Sequence, residues 1–122
     1  MNKEIAGVRV LIVEDEPLVG IMLEGMLQEL GVNVAAIATK LEDALLIVVN
    51  CEFDAAVLDV NLSGTQSYPV ADRLREKGIP FVFATGYGSR ILVGDYREDR
   101  FIHKPYSSLD LKRVLQDMVG RR

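Results

Sequence analysis

Five short apolar runs, at residues 8–13, 33–38, 55–60, 80–85 and 100–104, alternate with longer stretches whose apolar residues recur every three or four positions. The runs are mostly continuous apolar rather than alternating. Such strands are covered on both faces, as in a parallel sheet. The intervening spacing is that of helices with one buried stripe. Strands and helices in strict alternation define a βα fold, which leaves few topologies open.

Local signals place the helices. Pro17 stands where a helix would start and Gly31 where it would stop, with Leu23, Met26 or Leu27, and Leu30 along one face. Thr39-Lys40-Leu41-Glu42 reads as a capping box for a second helix, with Leu41, Ala44, Leu45 and Val48 inward. A third is expected to start near Pro69, bury Val70 and Leu74, and end at Gly78. The last opens at Ser107, has Asp110 three residues on, and buries Leu111, Val114, Leu115 and Met118. Between residues 86 and 99, Gly86, Gly88 and Gly94 interrupt Ile91-Leu92-Val93, so any helix there is expected to be short or mobile. With no linker or repeat, residues 1–122 read as one five-stranded α/β domain.

Composition narrows the function classes. Lys and Arg number 14 against 18 Asp and Glu, a net charge of −4, which gives no basic surface for nucleic acid or anionic lipid. No apolar run approaches the roughly 20 residues that span a bilayer, and Met1-Asn2-Lys3-Glu4 lacks a signal-peptide core. The single cysteine, Cys51, leans toward a reducing compartment and reads as a helix-closing residue. A cytoplasmic location is expected.

Four of the runs end in polar residues that carry chemistry. The first leads into Glu14-Asp15-Glu16, the third into Asp59, the fourth into Thr85 and the fifth into Lys104-Pro105. Ligands of open parallel sheets bind outside the carboxyl ends of the strands, near the point where strand order reverses. The fold would therefore gather two or three carboxylates, a hydroxyl and an ammonium in one place. Acids to hold a divalent cation, with Lys and Thr beside them, suit the handling of a phosphoryl group.

The set Val10-Leu11-Ile12-Val13-Glu14-Asp15-Glu16, Leu58-Asp59, Thr85 and Lys104-Pro105 resembles the receiver domain of two-component response regulators, over essentially the whole chain. Phe81-Val82-Phe83-Ala84-Thr85-Gly86-Tyr87-Gly88 and Asp59-Val60-Asn61-Leu62-Ser63-Gly64 are similar to stand-alone receivers of the FAT-GUY type. The chain departs from the commoner pattern at Ser63, where a Pro usually stands, and in the Gly-rich loop after Thr85.

The resemblance implies a flavodoxin-like doubly wound fold, strand order 2-1-3-4-5, with helices on both faces. It makes Asp59 the phosphoacceptor. Magnesium would be held by Asp15, Asp59 and the backbone carbonyl of Asn61, with Glu14 acting directly or through water. Thr85 and Lys104 would contact the phosphoryl group, Phe101 would be the aromatic switch residue, and the Lys104–Pro105 bond would be cis. Asn61 and Tyr87 would tune hydrolysis of the acyl phosphate.

Each residue also has a structural reading. Asp59 could cap a turn, and Glu14 to Glu16 could favour the positive end of the helix begun by Pro17. Thr85 suits a strand, and Phe101 could be plain core. His103, the only histidine, has no partner for metal or triad chemistry.

The functional expectation is a single-domain response regulator with no output domain. It would take its phosphoryl group from a histidine kinase and signal to a phosphorylation-sensitive protein partner or phosphotransfer protein, with no nucleic acid and no membrane. It would be a switch rather than an enzyme, catalysing at most its own phosphorylation and dephosphorylation. One alternative is an aspartyl-phosphate phosphatase of the haloacid dehalogenase type, to whose nucleophile pair Asp59-Val60-Asn61 is similar. The other is a degenerate receiver that only binds.

Overall fold

In the computed structural model, which describes residues 5–86, 94–96 and 99–120, strands and helices follow the expected alternation. They are β1 (Arg9–Val13), α1 (Pro17–Glu29), β2 (Asn33–Ala38), α2 (Leu41–Asn50), β3 (Ala55–Asp59), β4 (Asn61–Leu62), β5 (Thr65–Gln66), α3 (Tyr68–Lys77), β6 (Phe81–Thr85), β7 (Phe101–His103) and α4 (Ser108–Val119), with a 3-10 turn at Gly94–Tyr96. The large sheet is parallel throughout, in the order β2-β1-β3-β6-β7. Setting aside the two-residue strands β4 and β5, this is the expected 2-1-3-4-5 order.

Strand parity explains the continuous apolar runs. Val10, Ile12, Ala55, Val57, Val82 and Ala84 face a core shared with Leu23 and Leu27 of α1 and Leu111 and Leu115 of α4. Their neighbours Leu11, Val13, Ala56, Leu58, Phe81 and Phe83 face a second core with Ala44 and Val48 of α2 and Val70 and Leu74 of α3. Both sides of each central strand are therefore dry, and an alternating pattern is impossible.

Most helix ends fall where the sequence signals them. Pro17 opens α1, Gly78 closes α3 at φ 72°, and the Ser107 hydroxyl accepts from the Asp110 N–H at 3.3 Å at the start of α4. Cys51, exposed, is the residue that closes α2. The capping box at Thr39 does not form. Strand β2 stays paired with β1 through Ala38, whose carbonyl accepts from Glu14 N–H at 2.9 Å, so the chain turns one residue later. Lys40 becomes the cap residue without a side-chain bond, and Glu42 and Asp43 favour the helix start by charge alone.

Two features position the site without a clear sequence signal. Strands β4 and β5 form a hairpin, pairing Leu62 with Thr65 across Ser63 and Gly64. Both turn residues lie at positive φ, 52° and 92°, as a two-residue type I′ turn requires. Farther along, Tyr96 stacks on Tyr68 of α3 with ring centroids 4.0 Å apart, and its hydroxyl donates to Asp72 at 2.7 Å. Arg75 of α3 pairs with Asp99 at 2.6 Å. The return toward β7 is thus fastened to α3. Of the segment 86–99, the only helical piece among the described residues is the 3-10 turn.

Candidate functional site at the carboxyl edge of the sheet

Register brings the strand ends level. Val13 lies beside Leu58, Asp59 beside Ala84, and Thr85 beside His103. The residues that follow surround a cleft of about 450 Å³ lined by Asp15, Asp59, Asn61, Thr85, Gly86 and Lys104, among others. A somewhat larger groove of about 520 Å³ runs between β7 and α4 past Phe101, His103 and Val114. That groove holds neither Thr85 nor any of the acids that follow β1 and β3, so the chemistry belongs to the smaller cleft.

One carboxylate oxygen each from Glu14, Asp15 and Asp59 lies within 4.8 Å of the other two. Lys104 Nζ is 2.8 Å from Glu14 Oε1 and 3.2 Å from Asp59 Oδ2, the only ion pairs in the cleft among the described residues. Glu14 is almost fully buried, and its other oxygen accepts from Glu16 N–H at 3.2 Å. Asp15, half-buried, accepts from the Ser63 hydroxyl at 2.8 Å. Thr85 is buried, and Gly86, with no Cβ, follows it at the exposed lip.

These positions set the electrostatics. Burial first, and then the neighbouring Glu14 charge, push the Asp59 carboxyl up to about 7 against the opposing pull of Lys104. Burial also acts to raise Asp15, but hydrogen bonds, that from Ser63 foremost, outweigh it and hold the group below its ordinary value. Lys104 loses hydration on burial, yet Glu14 and Asp59 more than compensate and keep it charged. The buried Tyr106 phenol is raised by desolvation and then by the same two acids.

Three carboxylates against one ammonium leave two excess negative charges when all are ionised. Hard oxygen donors at this spacing fit a small divalent cation. The donor set therefore suits magnesium.

Glu14, Asp15, Asp59, Thr85 and Lys104 thus converge as their sequence positions suggest, with Asn61 at the cleft wall. The Asn61 side chain accepts from Gly64 N–H at 2.9 Å, within the hairpin. The Lys104–Pro105 bond is cis. Phe101 is 38% exposed and edge-on to His103 at 5.4 Å, so it is neither plain core nor part of the cleft. Tyr87 lies outside the described residues. Sequence reasoning missed Ser63 and Tyr106. For Ser63 the available signal was Ser-Gly two residues beyond Asn61, a short turn that could fold back toward Asp15.

A doubly wound parallel sheet with acids, a threonine and a lysine gathered at its carboxyl edge is a flavodoxin-like domain. Residues 10–116 match the response regulator receiver domain, and the chain belongs to that family. It is 33% identical over 114 residues to the phyllosphere-induced regulator PhyR of Methylorubrum extorquens, covering 90% of this chain and 43% of that one. Among solved structures, SdrG from Sphingomonas melonis Fr1 is 39% identical with a TM-score of 0.80, over 92% of this chain and 96% of SdrG. The receiver domain of the sensor histidine kinase PA1611 from Pseudomonas aeruginosa, solved with a magnesium ion in its active site cleft, is 25% identical with a TM-score of 0.78, over 94% and 99% of the two chains. The chain spans about half the length of the curated relatives it matches. No helix among the described residues is long and apolar enough to cross a membrane.

Proposed function

We propose that this chain is a phosphorylation-dependent switch in which Asp59 accepts a phosphoryl group from a histidine kinase in a magnesium-dependent reaction. One observation carries the reading: Glu14, Asp15 and Asp59 crowd within 4.8 Å while Lys104 reaches Asp59 beside Thr85. An Asp59 carboxylate oxygen would attack phosphorus as the phosphorus–nitrogen bond of a phosphohistidine breaks, giving an acyl phosphate. Lys104 and the Thr85 hydroxyl, both lining the cleft, would meet phosphoryl oxygens and neutralise or hydrogen-bond them. Asp15, Asp59 and the Asn61 carbonyl would hold magnesium, with Glu14, already tied to Lys104, acting through water. When bound, the cation supplies charge neutralisation at the transferring group.

The response would pass to a protein partner or a phosphotransfer protein rather than to nucleic acid, consistent with a net charge of −4. Adding roughly −1.5 to −2 charges beside Lys104 and Thr85 biases one of two local arrangements. The place of action is the cytoplasm, and the only chemistry catalysed is on Asp59 itself. SdrG has also been solved in a BeF3-activated conformation, which supports a phosphoryl-responsive reading of this fold.

The test is intact mass after incubation with magnesium and a small phosphodonor such as acetyl phosphate. A gain of one phosphoryl group, absent in Asp59→Asn and in excess chelator, is the expected result. Labelling that survives in Asp59→Asn overturns the assignment of the acceptor.

A further inference from the structure

We propose that Ser63 is a positioning residue for the cation site, its hydroxyl fixing the Asp15 carboxylate through the 2.8 Å hydrogen bond between them. The inference rests on the reading of Asp15 as a cation ligand given above.

Ser63 and Asp15 are 48 residues apart, and only the hairpin brings them together. Its frame is well defined: Asn61 pairs with Gln66, Leu62 pairs with Thr65, and Gly64 N–H donates to the Asn61 side chain. Within it Ser63 takes a φ of 52°, in the left-handed region that a glycine occupies without strain. What serine adds there, and glycine cannot, is a hydroxyl, and that hydroxyl is spent on Asp15.

The bond also joins two loops that carry proposed ligands. Asp15 follows β1, while Asn61 and Ser63 follow β3. Asp15 stands half-buried at the cleft rim, where an untethered carboxylate samples several rotamers. A donor that holds it in one orientation removes part of the ordering cost of binding, and loss of such an outer hydrogen bond typically weakens metal affinity about 10-fold to 100-fold.

Ser63→Ala and Ser63→Gly separate this role from a role in folding. Both remove the hydroxyl, but only glycine relieves the backbone. Magnesium affinity of the full chain would be measured by titration calorimetry, and stability by urea denaturation in chelator. The expected result is about tenfold weaker magnesium binding in both variants, with Ser63→Gly at least as stable as the wild type. Affinities within twofold of the wild type in both variants overturn the inference. So does weakening in Ser63→Ala alone, in step with lost stability. A wild-type chain that fails to bind magnesium overturns instead the underlying reading of the site.

Discussion

Replacing Asp59 with Asn should make the metal-free protein more stable at pH 8 relative to its stability at pH 4. In the fold this carboxyl is raised from 3.8 to about 7, by burial and by the charge of Glu14. The unfolded chain therefore releases the proton first as pH rises. Stability from this group is fully present below about pH 4, and it is lost as pH rises until the folded carboxyl ionises near 7. The gap from 3.8 to about 7, at 1.36 kcal/mol per pH unit, sets a ceiling of about 4 kcal/mol on the loss, which solvent screening at the open cleft lowers. Asn cannot ionise, so the difference between the two proteins' pH profiles reports this group together with its coupling to the neighbouring Glu14 and Lys104 charges. Urea denaturation followed by far-ultraviolet circular dichroism in chelator, from pH 4 to pH 8, measures it. Excess magnesium should recover part of the loss in the wild type alone, about 2.7 kcal/mol at a hundred times its dissociation constant. Parallel profiles for the two proteins would refute the claim that a buried, charge-crowded carboxylate occupies this position.

Three further outcomes follow from the geometry. Asp15→Asn removes one of three clustered acids and should weaken magnesium at least tenfold by calorimetry, with phosphodonor labelling falling in parallel; undiminished labelling would contradict the site. Lys104→Ala leaves Glu14 and Asp59 buried without their shared cation, so at pH 8 in chelator urea denaturation should show a loss of about 3 kcal/mol, and magnesium should restore more stability than it adds to the wild type. Ser107→Ala deletes the hydrogen bond that caps α4 and should cost about 1 kcal/mol by the same measurement, with magnesium affinity unchanged.

The legible parts of the molecule are those set by periodicity and strand position. Val10 to Val13 announce a doubly covered strand because each face of β1 meets its own core, and that burial needs no knowledge of partners. Asp59, Thr85 and Lys104 are legible for the same reason, since the end of a parallel strand fixes where its last side chain goes. What escaped depends on register between segments. Thr39 looks like a cap, but the pairing of Ala38 with Val13 carries the chain past it. The reach of Ser63 to Asp15 exists only once two consecutive residues adopt positive φ, a choice that Ser-Gly permits without dictating. Phe101 could not be sorted from sequence, because outward and inward faces of a three-residue edge strand carry no periodic signal.

The two borders of the sheet carry unequal hazards. One outer strand, β7, is only three residues long and lies between Arg100 and Lys104, so it offers little backbone to an incoming chain. The other, β2, runs for six residues, Asn-Val-Ala-Ala-Ile-Ala, with no charge and no proline, and β1 is its only strand neighbour among the described residues. A long uncharged border of that composition is a template for strand addition. Self-association during folding or at high concentration should therefore be one-sided, starting at β2, and a lysine at the solvent-facing Asn33 is the economical guard against it.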